Sequence, residues 1–528
     1  MQVKRGGILT IVFLFLILTA AKSQHYFQQE VHYRIRATLN TSEKTISAFE
    51  SIIYKNNSAT PLRFIWFHTW PNAYSSKKTA LMKQIRKDEA RTNWELGYGK
   101  GFIDSLNFKV NGQPVRMVNH PEHADIVRIE LAQPLAPGDS ITIETPFKVK
   151  LPPYFSRMGY YGSEFLVTQW YPKPAVFDKN GWNEMPNLDR GEYYSEYGTY
   201  DVSITLPSDY VVAASGVLQT APELEAYRKA GTKNRTDKEA ELTPYHTPFT
   251  SAYKTLVYHA EQVPDFAWFA DTRFFLQYDT MALTSGRVID VFSYSYAFYN
   301  GGWKHSIDYI KNAVNSYGDW VGEYSYPVVQ AVEGPANISS GGMEYPMLSL
   351  ITMLGADDVE LECIILHEVG HNWFMSMLGS NERRYAWMDE GLNSYYEYRY
   401  EAEKYRGNYY LGDDVPQGYG NRPVAQFLTE MYRKISRSEP MNYAMDTPSD
   451  AFPDGREYTV ASYLKPAIWM FMLETSVGRQ RLDKAMQHYF QKWKFKHPQP
   501  EDLKAALEES LGGKLDKFFA LTKKKGKL

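Results

Sequence analysis

Along the first half of the chain apolar residues recur at every second position. Tyr33-Arg34-Ile35-Arg36-Ala37-Thr38-Leu39 alternates, and so does the run from Thr45 to Tyr54, which stops at the turn formers Asn56-Asn57-Ser58. A period of two places one set of side chains on one face of a sheet, so both runs predict strands with one wet face. Further strands are predicted at 62–67, 124–131, 140–147, 200–206 and 210–214, the last two flanking the turn Pro207-Ser208-Asp209. Asn111-Gly112, between Phe108-Lys109-Val110 and Pro114-Val115, is a hairpin signal. Strands at 255–259 and 274–278 are expected to finish this half near residue 283. Residues 221–243 are charged and poorly patterned, which predicts a surface loop with room for a short helix.

The stretch Gln169-Trp170-Tyr171-Pro172-Lys173-Pro174-Ala175-Val176-Phe177-Asp178 is too aromatic and proline-rich for a plain strand. It reads as a rigid corner where two sheets meet or as a binding loop.

After Ser285 the pattern changes. Residues 291–317 suit one long helix bent at Gly301-Gly302, and 328–332 a strand. Gly341-Gly342-Met343-Glu344-Tyr345-Pro346 combines flexible backbone, an acid and a proline stop before another strand at 347–353. A helix over 361–375 begins near Asp358 as its cap. Helices follow at 392–400, 423–435, 460–475, 482–493, 500–511 and 515–521, with an aromatic, glycine-rich segment between Glu401 and Tyr419. There is no internal repeat. The fold class is multidomain α+β: an antiparallel β domain (24–283), then a mainly α domain (284–521) and a basic tail (522–528), with substrate bound between the two modules.

The chemistry concentrates at Leu366-His367-Glu368-Val369-Gly370-His371-Asn372-Trp373. On a helix His367 and His371 lie one turn apart on one face, the spacing two imidazoles need to share a tetrahedral zinc. Glu368 points into the same cleft, placed to take a proton from an attacking water. Glu390, with eighteen residues between it and His371, is the third ligand, because a turn at 378–381 and a second helix bring it back. Two histidines and a carboxylate leave one zinc position open, as a catalytic site requires. Gly370 costs about 1 kcal/mol of helix propensity and needs a packing or functional reason. Cys363, one turn before His367, is either a fourth, thiolate ligand or a small buried residue beneath the helix.

Composition narrows the setting. Net charge is −3 with 58 basic and 61 acidic residues, which gives no nucleic-acid signature. The 41 tyrosines and 12 tryptophans fit a well-packed globular chain with aromatic-lined surfaces. Residues 1–23 have the form of a signal peptide: Lys4 and Arg5, an apolar run from Ile8 to Leu18, then Ala21-Lys22-Ser23. That run is too short for a secure membrane span. With a single cysteine there is no internal disulfide, and the expectation is an exported bacterial protein, periplasmic or extracellular.

This constellation resembles the M1 family of zinc aminopeptidases, gluzincins of the aminopeptidase N and leukotriene A4 hydrolase kind, over nearly all of residues 30–521. The zinc motif of that family is matched by His367, Glu368, His371 and Glu390, and Trp373, Trp387 and Gly391 fit its surroundings. The resemblance implies a saddle-like N-terminal β domain and a thermolysin-like catalytic domain holding one Zn2+. It also implies that Gly341-Gly342-Met343-Glu344, with Tyr345 where the family usually has asparagine, binds substrate: Glu344 the α-ammonium, the glycines the peptide backbone. Tyr463, in Tyr463-Leu464-Lys465-Pro466, matches the tyrosine that stabilises the oxyanion. Many members carry a second amine-binding acid two positions after a glutamine; here that stretch is Gln169-Trp170-Tyr171, whose tyrosine offers only a cation–π contact.

The function so implied is zinc-dependent removal of N-terminal residues from peptides, by a chain more monomer than oligomer. Two other readings stand beside it: a zinc endopeptidase or specialised peptide hydrolase with little need for a free α-amine, and a catalytically silent secreted binding protein.

Overall fold

The computed structural model describes residues 26–87, 100–236, 245, 247–296, 301–337, 340–353, 355–405, 423–438 and 442–528. The signal-like segment and the glycine-rich segment before Tyr419 lie outside them, the latter apart from its first residues.

The alternating runs form the sheet they predict. Glu30–Asn40 and Thr45–Lys55 pair antiparallel, Ala37 facing Ala48, and Val31, Tyr33, Ile35, Ala37 and Leu39 are buried while their neighbours are exposed. They sit inside a nine-stranded sheet with Ser140–Lys150 on one side and Gly198–Pro207 on the other. The sheet is not wholly antiparallel: Glu30–Asn40 runs parallel to Gly198–Pro207, with Val31 opposite Gly198. The Asn111-Gly112 hairpin is present, both residues at positive φ (48° and 77°), as a two-residue turn of this twist demands. Residues 221–236 are a helix, longer than the charge pattern suggested.

The stretch 169–178 is a corner. Val167 ends a strand paired with Trp268, whereas Lys173-Pro174 joins a different sheet beside Phe67 and His68. Trp170 and Tyr171 are buried in crossing between them, and Ala175 and Val176 are buried just beyond.

The long helix expected over 291–317 does not form. Val288–Tyr296 is a strand, and the helix, α1, covers Ser306–Trp320. The strand lies in the interior of its sheet with Val291 to Ser295 buried without a break, so both faces are covered and the alternation of a half-wet strand is lost. Phe274–Ala282, read above as the last strand of the β half, pairs with it and opens a five-stranded sheet. The order of that sheet is 274–282, 288–296, 328–333, 348–351, 342–345. Its outermost strand, Gly342–Tyr345, is the one that carries Glu344.

Helix α2, Asp358–Gly370, is capped by Asp357 rather than Asp358. The Asp357 carboxylate accepts from the amides of Val359 and Glu360, and Glu360 reaches back to the Asp357 amide, a closed capping box. The α-helix stops at Gly370, short of the expected 375; His371 keeps helical angles (φ −64°, ψ −12°) and the chain then kinks at Phe374. Gly370 has the packing reason its cost called for. A Cβ there would run into the Tyr317 hydroxyl of α1 and the Asn393 amide oxygen of α3, Glu390–Tyr405. The three helices therefore meet at a point where only glycine fits, and this close approach fixes the histidines against Glu390. Among the described residues no helix is long and apolar enough to cross a membrane.

Candidate active site

Helix α2 brings His367, Glu368 and His371 to the floor of a cleft of about 330 Å3, and the start of α3 brings Glu390 opposite them. His367 Nε2 and His371 Nε2 are 3.1 Å apart, and Glu390 Oε2 lies 3.5 Å and 3.4 Å from them. Tetrahedral ligands about 2.0–2.1 Å from one zinc are separated by roughly 3.3–3.5 Å, so the triangle has the right size. Each Nδ1–H is already committed, that of His367 to Glu397 and that of His371 to Asp389, both at 2.7 Å. The two Nε2 atoms then converge with the buried Glu390 Oε2 on one point, where a proton shared with the carboxylate or a metal ion supplies positive charge.

The electrostatics follow from crowding acids and imidazoles out of water. Burial works against a charged His367 ring, but the Glu397 charge and hydrogen bonds to Glu390 and Glu397 outweigh it and push its pKa up to about 10. Glu390 is disfavoured by burial too, yet the charge of His371 and hydrogen bonds from both rings hold it far below the usual carboxylate range. Glu368, with burial as the largest influence, rises to about 7 despite the two histidines. A carboxylate in that range is suited to taking and returning a proton near neutrality.

Glu368 lies against the outer strand. A Cβ on Gly342 would collide with its carboxyl group, so glycine at 342 is what lets the strand close over it. Gly341, Gly342, Met343 and Glu344 all line the cleft, and burial pushes Glu344 up to about 8. Tyr463 comes from the irregular turn Val460–Leu464; its hydroxyl donates to Glu390 Oε1 at 2.5 Å and its ring stacks over His367.

Three of the residues singled out by the resemblance stand elsewhere. Tyr345 and Gln169 line a separate cavity of about 30 Å3, which shares Met343 and Glu344 with the cleft. Tyr171 lines neither. It is buried in the corner, its hydroxyl 2.8 Å from Asp265 and 3.1 Å from the Tyr200 hydroxyl, with the Lys173 ammonium 5.2 Å from its ring. The cation–π contact expected of Tyr171 is thus made with Lys173, because the proline-bounded corner turns the ring into the core. Cys363 is buried away from the donor triangle, its thiol pushed well up by burial, and is the small packing residue of the two readings given above.

Sequence reasoning missed several participants. Asp389 and Glu397 orient the two imidazoles; Glu397 is seven residues after Glu390, two turns along the same helical face, a spacing that could have flagged it. Arg157 and Glu192 stand on the opposite wall, paired at 2.6 Å, and carry no motif. Glu382, just before the Trp387 segment, is buried beside Glu344.

Comparison with known proteins agrees with this geometry. Residues 306–521 match the family model described as Peptidase family M1 domain. A leucine aminopeptidase 2 from Chaetomium globosum is 28% identical over 182 residues, 33% of this chain and 27% of that protein. The leucine aminopeptidase 2 of Aspergillus niger is 28% identical over 202 residues, 36% of this chain and 29% of that protein. The matched region thus spans less than a third of these curated relatives. Among solved structures, an M1 zinc metallopeptidase from Deinococcus radiodurans, a mutant bound to a Tyr-Ser-Ala substrate, superposes with a TM-score of 0.61 at 15% identity, covering 95% of both chains. Aminopeptidase A of Legionella pneumophila, in complex with aspartic acid, gives 0.60 at 14% identity over 96% of this chain and 50% of that one. The chain therefore has the fold of an M1-family zinc metallopeptidase, a β-rich N-terminal region leading into a mainly helical peptidase domain that carries the zinc-binding motif intact.

Proposed function

We propose that this protein is a zinc-dependent aminopeptidase that removes N-terminal residues from peptides. The observation that carries the reading is the convergence of three donor atoms 3.1–3.5 Å apart with a raised, buried Glu368 beside them and the buried carboxylate of Glu344 in the same cleft. Zn2+ held by His367, His371 and Glu390 would supply the Lewis acidity that polarises the scissile carbonyl and acidifies the attacking water. The rest is done by the chain. Glu344 holds the substrate's α-ammonium, and the open edge of Gly342–Tyr345 pairs with the first peptide backbone groups. Glu368 takes a proton from the attacking water and returns it to the leaving amine. Tyr463, freed from Glu390, donates to the developing oxyanion.

An acidic anchor for the amine gives exopeptidase selectivity, because an internal peptide segment has no cation to set against a buried carboxylate. The Tyr-Ser-Ala complex of the Deinococcus protein supports a peptide as the substrate class. The signal-like residues 1–23 support export to the periplasm or beyond, and we take the chain to act as a monomer; the modules expected at 24–283 and 284–521 divide instead ahead of Phe274–Ala282, which belongs to the five-stranded sheet. The test is a Glu368→Gln variant beside the wild type on leucyl peptides, with metal content measured in both. Retained zinc with turnover reduced about 10^3-fold supports the reading. A wild-type protein that holds zinc yet hydrolyses nothing across a broad peptide set returns the chain to a binding role.

A further inference from the structure

We propose that Glu382 is a second amine-binding carboxylate, holding the α-ammonium of the substrate together with Glu344. This rests on the aminopeptidase reading and adds to it a residue that no motif assigns. Acceptor atoms of Glu344, Glu382 and Asp389 lie within 4.8 Å of one another, all three side chains buried. Asp389 spends its charge on His371, its Oδ1 2.7 Å from Nδ1. Glu382 has no such outlet: it is 2% exposed, its Oε2 is buried without a hydrogen-bond partner, and among the described residues no lysine, arginine or histidine pairs with it. Glu192, which lines the neighbouring cleft, differs in having Arg157 at 2.6 Å.

Two carboxylates facing one another with no cation between them repel, and a buried carboxyl oxygen left unpaired is costly. A primary ammonium has three N–H donors and one positive charge, which suits two acceptors set at this separation. The small cavity lined by both Glu344 and Glu382 is about 30 Å3, room for one ammonium-sized group and too little for a lysine or arginine side chain. The amine rather than the first side chain is therefore what Glu382 meets. Its position is built in: Arg383, the next residue, is fixed by the carbonyls of Pro186, Gly191 and Glu192, and the Glu382 carbonyl accepts from Ser449. A rigid carboxylate at the start of the short helix Glu382–Tyr385 supplies the second acid that Tyr171, turned into the core, does not.

The experiment compares zinc-loaded wild type, Glu382→Gln and Glu382→Asp on a leucyl peptide and its desamino and N-acetyl analogues, with zinc content and circular dichroism recorded for each. The expected result is a KM for the free-amine peptide raised about tenfold or more in Glu382→Gln, with kcat much less affected. The low rate on the desamino analogue should stay unchanged, and Glu382→Asp should fall between the two. Binding of L-leucine, measured by calorimetry, should weaken in parallel. An unchanged KM in Glu382→Gln overturns the proposal. So does an equal loss on free-amine and desamino peptides, or loss of zinc or fold, each of which assigns Glu382 a structural role. If the wild type cleaves the N-acetyl peptide as fast as the free one, it is the aminopeptidase reading that has failed, and the Glu382 comparison shows this by being flat on every substrate.

Discussion

The two sides of the cleft are built on opposite principles. On the metal side every donor has a partner behind it: Glu397 behind His367, Asp389 behind His371, and the Tyr463 hydroxyl on Glu390. On the other side Glu344 is shared between the cleft and the small adjoining cavity that Glu382 lines; both acids are buried, and among the described residues neither has an ion-pair partner of its own. The first arrangement fixes ring tautomers and aims lone pairs before any ion arrives, so its task is permanent binding. The second stays electrostatically unfinished, and what completes it must come and go with each turnover. A site that is unsatisfied by design is the place where a transient cation is recognised, whereas a resident ion needs its ligands held beforehand.

Variants can sharpen or break that contrast. The largest effect on zinc affinity, short of the ligands themselves, falls on the partnered side. Replacing Glu397 by Gln, or Asp389 by Asn, removes the charge that orients an imidazole, and zinc affinity should drop about 10–100-fold, read by competition with a chelator. Unchanged affinity would mean that α2 alone positions the rings. A smaller effect is expected where the two sides touch. Gly342→Ala sets a Cβ against the Glu368 carboxyl, so turnover should fall roughly tenfold with zinc content intact, since strand and carboxylate must part by about 1 Å.

The last effect falls on stability and leaves the chemistry of the cleft alone: it concerns Asp125, just before the strand Ile126–Leu135, whose partner Asn187 lies on the loop that leads to Glu192. Asp125 is 1% exposed, accepts from the Asn187 amide at 2.7 Å, and is pushed by burial up to about 6 against its ordinary 3.8. Between those values the native state binds more protons than the unfolded one, so stability falls as pH rises through about 4 to 6 and the deficit persists above it. Asp125→Asn, which keeps the acceptor without the charge, should gain up to about 3 kcal/mol over the wild type at pH 7 and little at pH 4, measured by urea unfolding. A gain of equal size at both pH values would trace to packing instead of charge.

The legibility of the chain follows the same division. The strands at 30–40 and 45–55 could be read directly because one face is wet, which forces strict alternation. The strand at 288–296 was mistaken for the start of a helix: it lies in the interior of its sheet, where burial on both faces blurs the polar signal that separates period two from period 3.6. In the site, His367, Glu368, His371 and Glu390 were visible because helix spacing and ligand chemistry fix them together. Glu344 and Tyr463 were reachable only through the family resemblance, and Glu192, Arg157 and Glu382 not at all, since they are brought in by loops whose course no local period encodes. Tyr171 shows the converse: a motif position can be identified in sequence while its backbone, here a proline-bounded corner, carries the side chain away from the cleft.

The central claim is that this zinc cleft reads a free amine. It is tested most directly by hydrolysis of a matched pair, a leucyl peptide with its α-amine free and the same peptide acetylated, with zinc-loaded wild type and Glu344→Ala. Cleavage of the free form alone, lost in the variant, is the predicted result. Similar cleavage of both peptides by the wild type would contradict it and leave an endopeptidase or a peptide hydrolase indifferent to the amine.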